Sequence, residues 1–220
     1  RIGVMESLFG RGRINISTNN VVIEALKIFE DNGARLVSIN ENFDQEWLHQ
    51  ETSVNLEEFQ FYINKYLNKL PSEWPIHNLQ EIINYKLFHP FNKSKMKACL
   101  KLNINSSRYQ EKMQNKVIVK ARIIKIVADL GLDAIVFPHQ QQLVCKIGKQ
   151  QEQRNGVLCS SIGFPSICVP AGFAPADEAP IGVPIGIEIM GLPWSEPSLI
   201  SLAYAFEQHS FFRSPPVSML

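Results

Sequence analysis

Two adjacent hydroxyls beside a glycine, in Cys159-Ser160-Ser161-Ile162-Gly163, have the composition of a nucleophile at a helix start. A serine attacks only when a base stands within hydrogen-bond reach. Lys146 and Lys149 precede the segment in a polar stretch, and no lysine follows it. Two readings stand: Ser160 or Ser161 as nucleophile, or small residues that pack a short helix against a strand, which is preferred. His139 is the second candidate. It follows Pro138 at the end of an apolar run, where α/β sheets place ligand contacts, and is read as either a pocket-lining or an ordinary loop histidine. The histidines at 49, 77, 89, 139 and 209 show no HxH, HExxH or Cys/His spacing, so no metal is expected. Gly10-Arg11-Gly12 and Gly182 to Gly186 make neither GxGxxG nor a P-loop, and no GxSxG elbow occurs. Lys93, Lys95, Lys97 and Lys101 lack interleaved aromatics apart from upstream Phe91 and read as a solvated helix face.

The elements that must position these residues follow from periodicity. Arg1–Val4 reads as a strand, 18–32 as a helix stopped by Asn32-Gly33, and 34–39 as a strand, a β-α-β opening. Amphipathic helices follow over 56–70, 78–87, 92–102 and 106–130, with Gly131 closing the last. Asp133–Phe137 is a short continuous apolar run, suited to a strand buried on both faces. A Gln-rich surface loop is expected over 139–154, a short helix over 155–162, and a strand over 166–173. A Pro-rich turn at 174–184 leads to a second strand, 185–190, the expected partner of the first. Ser195 is a plausible N-cap for a last helix through Phe206, and the tail holds Pro215-Pro216. The helical middle is long for a βαβ repeat and is expected as a layer or cap on the sheet.

Composition excludes whole classes. The chain has 220 residues, 45% hydrophobic and 20% charged, as in globular proteins. With 22 Lys and Arg against 21 Asp and Glu the net charge is +1, which gives no bulk attraction to nucleic acid. No apolar run approaches a membrane span. The four cysteines, at 99, 145, 159 and 168, form no CxxC pair and are expected to be reduced and structural. The compartment is left open, the cytoplasm favoured. The start at Arg1-Ile2-Gly3-Val4, without Met or leader, suggests a piece of a longer chain.

The last third carries a resemblance that no single motif supplies. Leu132-Asp133-Ala134-Ile135-Val136-Phe137-Pro138, then Asn155, then Gly163-Phe164-Pro165-Ser166-Ile167-Cys168-Val169-Pro170-Ala171-Gly172-Phe173 resemble the C-terminal half of the amidase signature family. Pro184 to Gly191, Pro193-Trp194-Ser195-Glu196-Pro197 and Leu202 to Gln208 extend the likeness in the same order. It covers essentially the whole chain, most weakly over 40–115 and 139–154. The resemblance implies an α/β fold: the later part of an α/β/α sandwich with a mixed sheet, residues 1–220 being the C-terminal portion of a single amidase-like domain. It implies hydrolysis of carboxylic amide C–N bonds without metal or cofactor, by a Ser–cis-Ser–Lys triad. The family's lysine and Gly/Ser-rich signature lie upstream of the strand this chain opens with, and no Gly-Ser-Ser-Gly-Gly occurs here. No catalytic residue is therefore assigned, and the chain is expected to be inactive alone. It is expected to supply substrate-pocket wall: Pro138, His139, Gln140, Asn155 and Phe164. His139 stands where the family commonly has Thr. The implied partners are a small-molecule amide and the missing N-terminal catalytic half; self-association into a homo-oligomer is open. The alternative is a non-catalytic binding or scaffold subunit paired with a separate polypeptide.

Overall fold

The computed structural model describes residues 1–179 and 182–215, so the middle of the turn expected at 174–184 and the tail from Pro216 lie outside the described residues. In chain order the elements are β1 (Ile2–Met5), α1 (Ile16–Asp31), β2 (Leu36–Ile39), α2 (Gln45–Thr52), α3 (Asn55–Leu67), α4 (Leu79–Asn84), α5 (Lys93–Cys99), α6 (Ser107–Leu130), β3 (Ala134–Pro138), α7 (Val157–Ile162), β4 (Ser166–Phe173), β5 (Pro184–Met190) and α8 (Glu196–Ser210). The chain divides into two compact units, one of Arg1–His49 with the chain from Val119 onward, the other of Gln50–Ile118. The helical middle, expected as a layer on the sheet, is thus a unit with its own contacts.

The first unit is built on a five-stranded mixed sheet of order β2-β1-β3-β5-β4. β2, β1 and β3 run parallel, while β5 is antiparallel to both β3 and β4. The β4–β5 pairing expected from sequence is present, with Cys168 opposite Glu188 and a register shift between Pro170 and Gly172. Strand alternation sends side chains to two layers. Ala134 and Val136 of β3 and Ile185, Ile187 and Ile189 of β5 join one cluster with α1 and α8, where Phe29 stacks on Phe206 at 4.8 Å. Ile135, Phe137 and Met190 join the other, with Val119, Ile123 and Ile126 of α6 and Leu158 and Ile162 of α7. All of β3 is buried, as its apolar run predicts. Gly3 permits the close packing of β1, because a Cβ there would stand 2.6 Å from both Ile39 Cδ1 and Leu132 Cδ1. α2 is a helix that the periodicity does not reveal. Ser195 stands at the N-cap of α8 as expected, but its hydroxyl donates to Leu192 O at 2.7 Å instead of capping a helix N–H.

The second unit holds α3, α4, α5 and the first half of α6. Its inner ion pair joins Lys112 Nζ to Glu57 Oε1 at 2.7 Å, and the same ammonium donates to Ser53 O. Tyr109 donates to Glu58 Oε1 at 2.9 Å. Lys93, Lys95, Lys97 and Lys101 are exposed, as a solvated face requires. Among the described residues no helix is long and apolar enough to cross a membrane.

Candidate functional site

The three parallel strands end on the same side of the sheet, and there the chain opens a polar cavity of about 660 Å³. Open α/β sheets place ligands outside the carboxyl ends of their strands. Its walls come from residues after β1 (Ser7, Arg11), after β2 (Asn42, Asp44, His49) and from the Gln-rich loop, including Gln141 and Gln153. A buried amide network fixes this loop. Asn155 Nδ2 donates to Leu8 O and to Pro138 O, both at 2.7 Å, while its Oδ1 accepts from Gln141 Nε2 at 3.0 Å. Asn15 Nδ2 donates to Gln141 O and Gln153 Oε1, both at 2.8 Å. Gly10 is required beside it, because a Cβ would lie 2.1 Å from Asn15 Cγ.

A second cavity, of about 290 Å³, lies past the end of β3, against the part of the β4–β5 hairpin that extends beyond it. His139, Gln140, Leu143, Val144, Cys168 and Ile185 are among its lining residues. Behind His139 stands Glu188, buried on the α7 side of β5. Its Oε2 accepts from His139 Nδ1 at 2.7 Å and its Oε1 from the Ser166 hydroxyl at 2.7 Å. The imidazole therefore carries its proton on Nδ1 toward the carboxylate. The hydrogen bond to Glu188 pushes the His139 pKa up, against burial, which pulls it down; the carboxylate charge adds to the rise. Burial pushes Glu188 up, but the bonds from His139 and Ser166 together outweigh it and hold the carboxyl below its usual range. Desolvation, then the Glu188 charge, raises the thiol of the solvent-exposed Cys168 to about 11 and that of the buried Cys159 further. Two glycines make room for the imidazole. A Cβ on Gly156 would lie 3.3 Å from His139 Cε1, and one on Gly186 would lie 2.6 Å from Cys168 Sγ and 3.5 Å from His139 Cβ.

The five expected wall residues separate into three situations. His139 and Gln140 line the smaller cavity. Pro138 and Asn155 line neither cavity: Pro138 ends a buried strand, and Asn155 is fully buried with its amide used on the loop. Phe164 also lines neither, packing in the α6–α7 layer with the Lys120 ammonium 5.5 Å from its ring centroid. Glu188 was not singled out from sequence, where it reads as the polar side of an alternating strand; a charge inside an Ile-rich run was the available signal. The serine pair follows the packing reading, since Ser160 and Ser161 donate to carbonyls of their own helix, Gly156 and Leu158. Ser166, Glu188 and His139 are linked in that order, with the carboxylate between hydroxyl and imidazole, so the histidine cannot deprotonate the serine as a triad requires. Among the described residues no serine hydroxyl is hydrogen-bonded to a lysine or histidine side chain, and no three metal-ligating side chains converge.

Comparison with known proteins places this geometry. The family described as Amidase matches residues 1–200. The chain is similar to a "Probable amidase" of Arabidopsis thaliana, 30% identical over 161 residues, covering 73% of this chain and 29% of that protein. It is also similar to a glutamyl-tRNA(Gln) amidotransferase subunit of Caldanaerobacter subterraneus subsp. tengcongensis, 25% identical over 238 residues, covering 98% of this chain and 46% of that protein. The chain thus spans less than half the length of these relatives. Among solved structures, the peptide amidase of Stenotrophomonas maltophilia shares the fold with a TM-score of 0.76 and 22% identity, covering 98% of this chain and 44% of that one. An amidase family protein of Bacillus anthracis str. Ames matches with a TM-score of 0.72 and 23% identity, covering 98% of this chain and 39% of that one.

Proposed function

Because the chain belongs to the amidase family, we propose that it forms the C-terminal, pocket-bearing portion of a hydrolase of carboxylic amide C–N bonds and does not hydrolyse amides by itself. The observation that carries this is the pairing of a family fold with serine hydroxyls of which, among the described residues, none is hydrogen-bonded to a lysine or histidine side chain. Acyl transfer by serine needs a proton acceptor on the nucleophile and donors for the oxyanion. Here Ser160 and Ser161 donate to carbonyls and Ser166 to a carboxylate instead. What the residues supply is wall and its support: His139 and Gln140 line the smaller cavity, Asn155 ties Pro138 O to the loop, and Phe164 packs in the α6–α7 layer. The substrate is a small-molecule amide, and the catalytic groups come from an N-terminal half carrying the family's Gly/Ser-rich signature. The cytoplasm is the favoured compartment.

The second reading, a non-catalytic binding or scaffold subunit, is favoured by the relative named as one subunit of an amidotransferase. One experiment separates the two. Residues 1–220 are assayed against simple aryl and aliphatic amides, alone and co-expressed with a separate polypeptide carrying the signature half. The hydrolase reading expects no turnover alone and turnover by the pair. Turnover by the chain alone, abolished by Ser161→Ala, overturns it in favour of a local serine. A soluble complex without turnover favours the scaffold.

A further inference from the structure

The helical unit disposes its apolar side chains differently from the sheet unit. Among the described residues, neither of the two buried core clusters takes a side chain from 50–118. The buried apolar residues of the helical unit are Val54, Leu67, Leu79 and Cys99. Its aromatic rings lie outside instead. Phe59, Tyr62 and Tyr66 of α3 stand at i, i+3 and i+7, on one face with Ile63, and line a shallow groove. Glu58 also lines the groove, its Oε1 accepting from Tyr109. Beyond α3, Trp74, Tyr85 and Phe91 are each more than half exposed. Apolar side chains grouped at a surface in this way mark an interaction site.

The same stretch is basic, which the net charge of +1 for the whole chain conceals. Residues 59–101 hold seven lysines and two glutamates, with no arginine or aspartate. All seven lysines are exposed, and among the described residues none of them forms an ion pair with a carboxylate. Lys65 instead lies over the Phe61 ring, 6.0 Å from its centroid. Of the two glutamates, Glu81 is committed to the start of α4, its Oε2 accepting from His77 N and its Oε1 from Asn78 Nδ2. The face therefore combines exposed aromatic rings with unpaired ammonium groups.

We propose that the helical unit docks, through the surface of residues 59–101, on an anionic lipid bilayer, with the aromatic rings at headgroup depth and the lysines on the lipid phosphates. The complementarity of charge selects this occupant. A second copy of the chain would set lysines against lysines, and like charges brought together oppose docking. An anionic leaflet attracts basic segments and meets them with phosphates. Tyr and Trp rings, apolar in body and polar at one end, settle where acyl chains give way to headgroups. Lysine stems lie along apolar surface while their ammonium groups reach outward. The contact is with the surface and needs no spanning helix; no described helix is long and apolar enough to cross a membrane.

The test is vesicle flotation with residues 1–220, alone and co-expressed with the signature half, and it reads no turnover. Vesicles of phosphatidylcholine are compared with vesicles in which one-third of the lipid is phosphatidylserine. Binding is expected to be at least tenfold tighter to the anionic vesicles and to weaken as salt is added. The triple variant Lys86→Gln, Lys95→Gln, Lys97→Gln is expected to lose at least tenfold. Lys146→Gln with Lys149→Gln removes cations from an exposed loop of the sheet unit and is expected to leave affinity within about threefold. Brominated phosphatidylcholine, mixed into the anionic vesicles, then reports on the rings by quenching tryptophan fluorescence. Trp74→Phe, a conservative change at an exposed ring, should remove most of the quenching, whereas Trp194→Phe should retain it. Equal binding to both vesicles, no binding, quenching that persists in Trp74→Phe, or an equal loss in the Lys146 and Lys149 variant overturns the proposal. Vesicle binding by the chain alone that disappears in the co-expressed pair assigns the face to the N-terminal half. A dimer in sedimentation that Tyr62→Ser with Tyr66→Ser dissolves, without vesicle binding, assigns it to a second copy. Either result also overturns the lipid contact.

Discussion

Glu57 in the helical unit and Glu188 in the sheet unit are buried to nearly the same degree, their side chains each about 5% exposed. Their partners differ. Glu57 meets Lys112, itself only 13% exposed, whose ammonium also donates to Ser53 O. Glu188 meets His139, which is 42% exposed, lines a cavity, and has its pKa pushed up from the ordinary imidazole value by the hydrogen bond to Glu188. A buried carboxylate is thus no mark of function by itself. The exposure and titration range of its partner decide whether the pair can meet a ligand or only hold two elements together.

The largest effect expected from this contrast is structural and falls in the helical unit. Lys112→Met leaves Glu57 buried without a cation, and its Oε2 already lacks a partner. Removing one member of a buried pair costs about 3–5 kcal/mol. Urea unfolding should show that loss, and the double variant Lys112→Met, Glu57→Leu should recover most of it. A loss under about 1 kcal/mol in the single variant, the range of exposed pairs, would mean the pair is hydrated in solution, and the contrast with Glu188 would fail.

The next effect falls in the sheet unit and depends on pH. His139→Ala is expected to cost about 2 kcal/mol near pH 6, less than a fully buried pair because the imidazole is half-exposed and Ser166 still donates to the carboxylate. The folded Glu188 pKa lies below 4.5, so its contribution is lost as pH falls through that lowered value. The folded His139 pKa lies above 6.5, so its contribution is present below 6.5 and lost as pH rises through the raised value. The difference between wild type and His139→Ala should be greatest at about pH 4.5–6.5 and shrink on both sides. A flat difference from pH 3 to 9 would show that the ion pair does not form. The same cost enters His139→Thr, the substitution toward the family's commoner residue, so its effect on substrate preference must be read against its effect on stability.

The elements on which this comparison rests were unequally legible in the sequence. β3 was readable because Ala134–Phe137 is apolar without interruption, and a strand buried on both faces has no polar side to show. α6 was readable from its recurrence of apolar residues, and the β4–β5 hairpin from its two Ile- and Val-bearing runs. α2 was not, because Leu48 is its main buried apolar residue and Gln45, Glu46, His49 and Gln50 give no stripe. Glu188 was hidden for the converse reason. Between Ile187 and Ile189 it looks like the solvated side of a strand, and only α7 with Cys159 turns that side inward. Asn155 was singled out as wall, but its tie to the loop was not legible. One amide offers two donors and an acceptor, enough to tie Leu8, Pro138 and Gln141 together, and that closure arises from residues 147 and 17 positions away.

The smallest stability effect gives the sharpest separation of the two carboxylates. Gly156 has φ −57° and ψ −11°, so alanine is sterically allowed by the backbone and loses less chain entropy on folding, a gain of about 0.4–1 kcal/mol. Opposing this, the new Cβ would stand 3.3 Å from His139 Cε1 and 3.5 Å from Glu188 Oε2. The imidazole is the movable partner, since its side chain is 42% exposed, whereas Glu188 is buried. Gly156→Ala should therefore leave the unfolding free energy within about 1 kcal/mol while tilting the ring and lengthening the 2.7 Å bond to the carboxylate. A longer bond weakens the main cause of the raised pKa, so the His139 midpoint should move down toward 6.5, read from its Cε1–H resonance. No such uncoupling is available to Glu57, whose partner is locked on both sides. If the midpoint stays where it is in wild type, or if stability falls by several kcal/mol, the imidazole is not free to move, and the pair at His139 is as structural as the pair at Lys112.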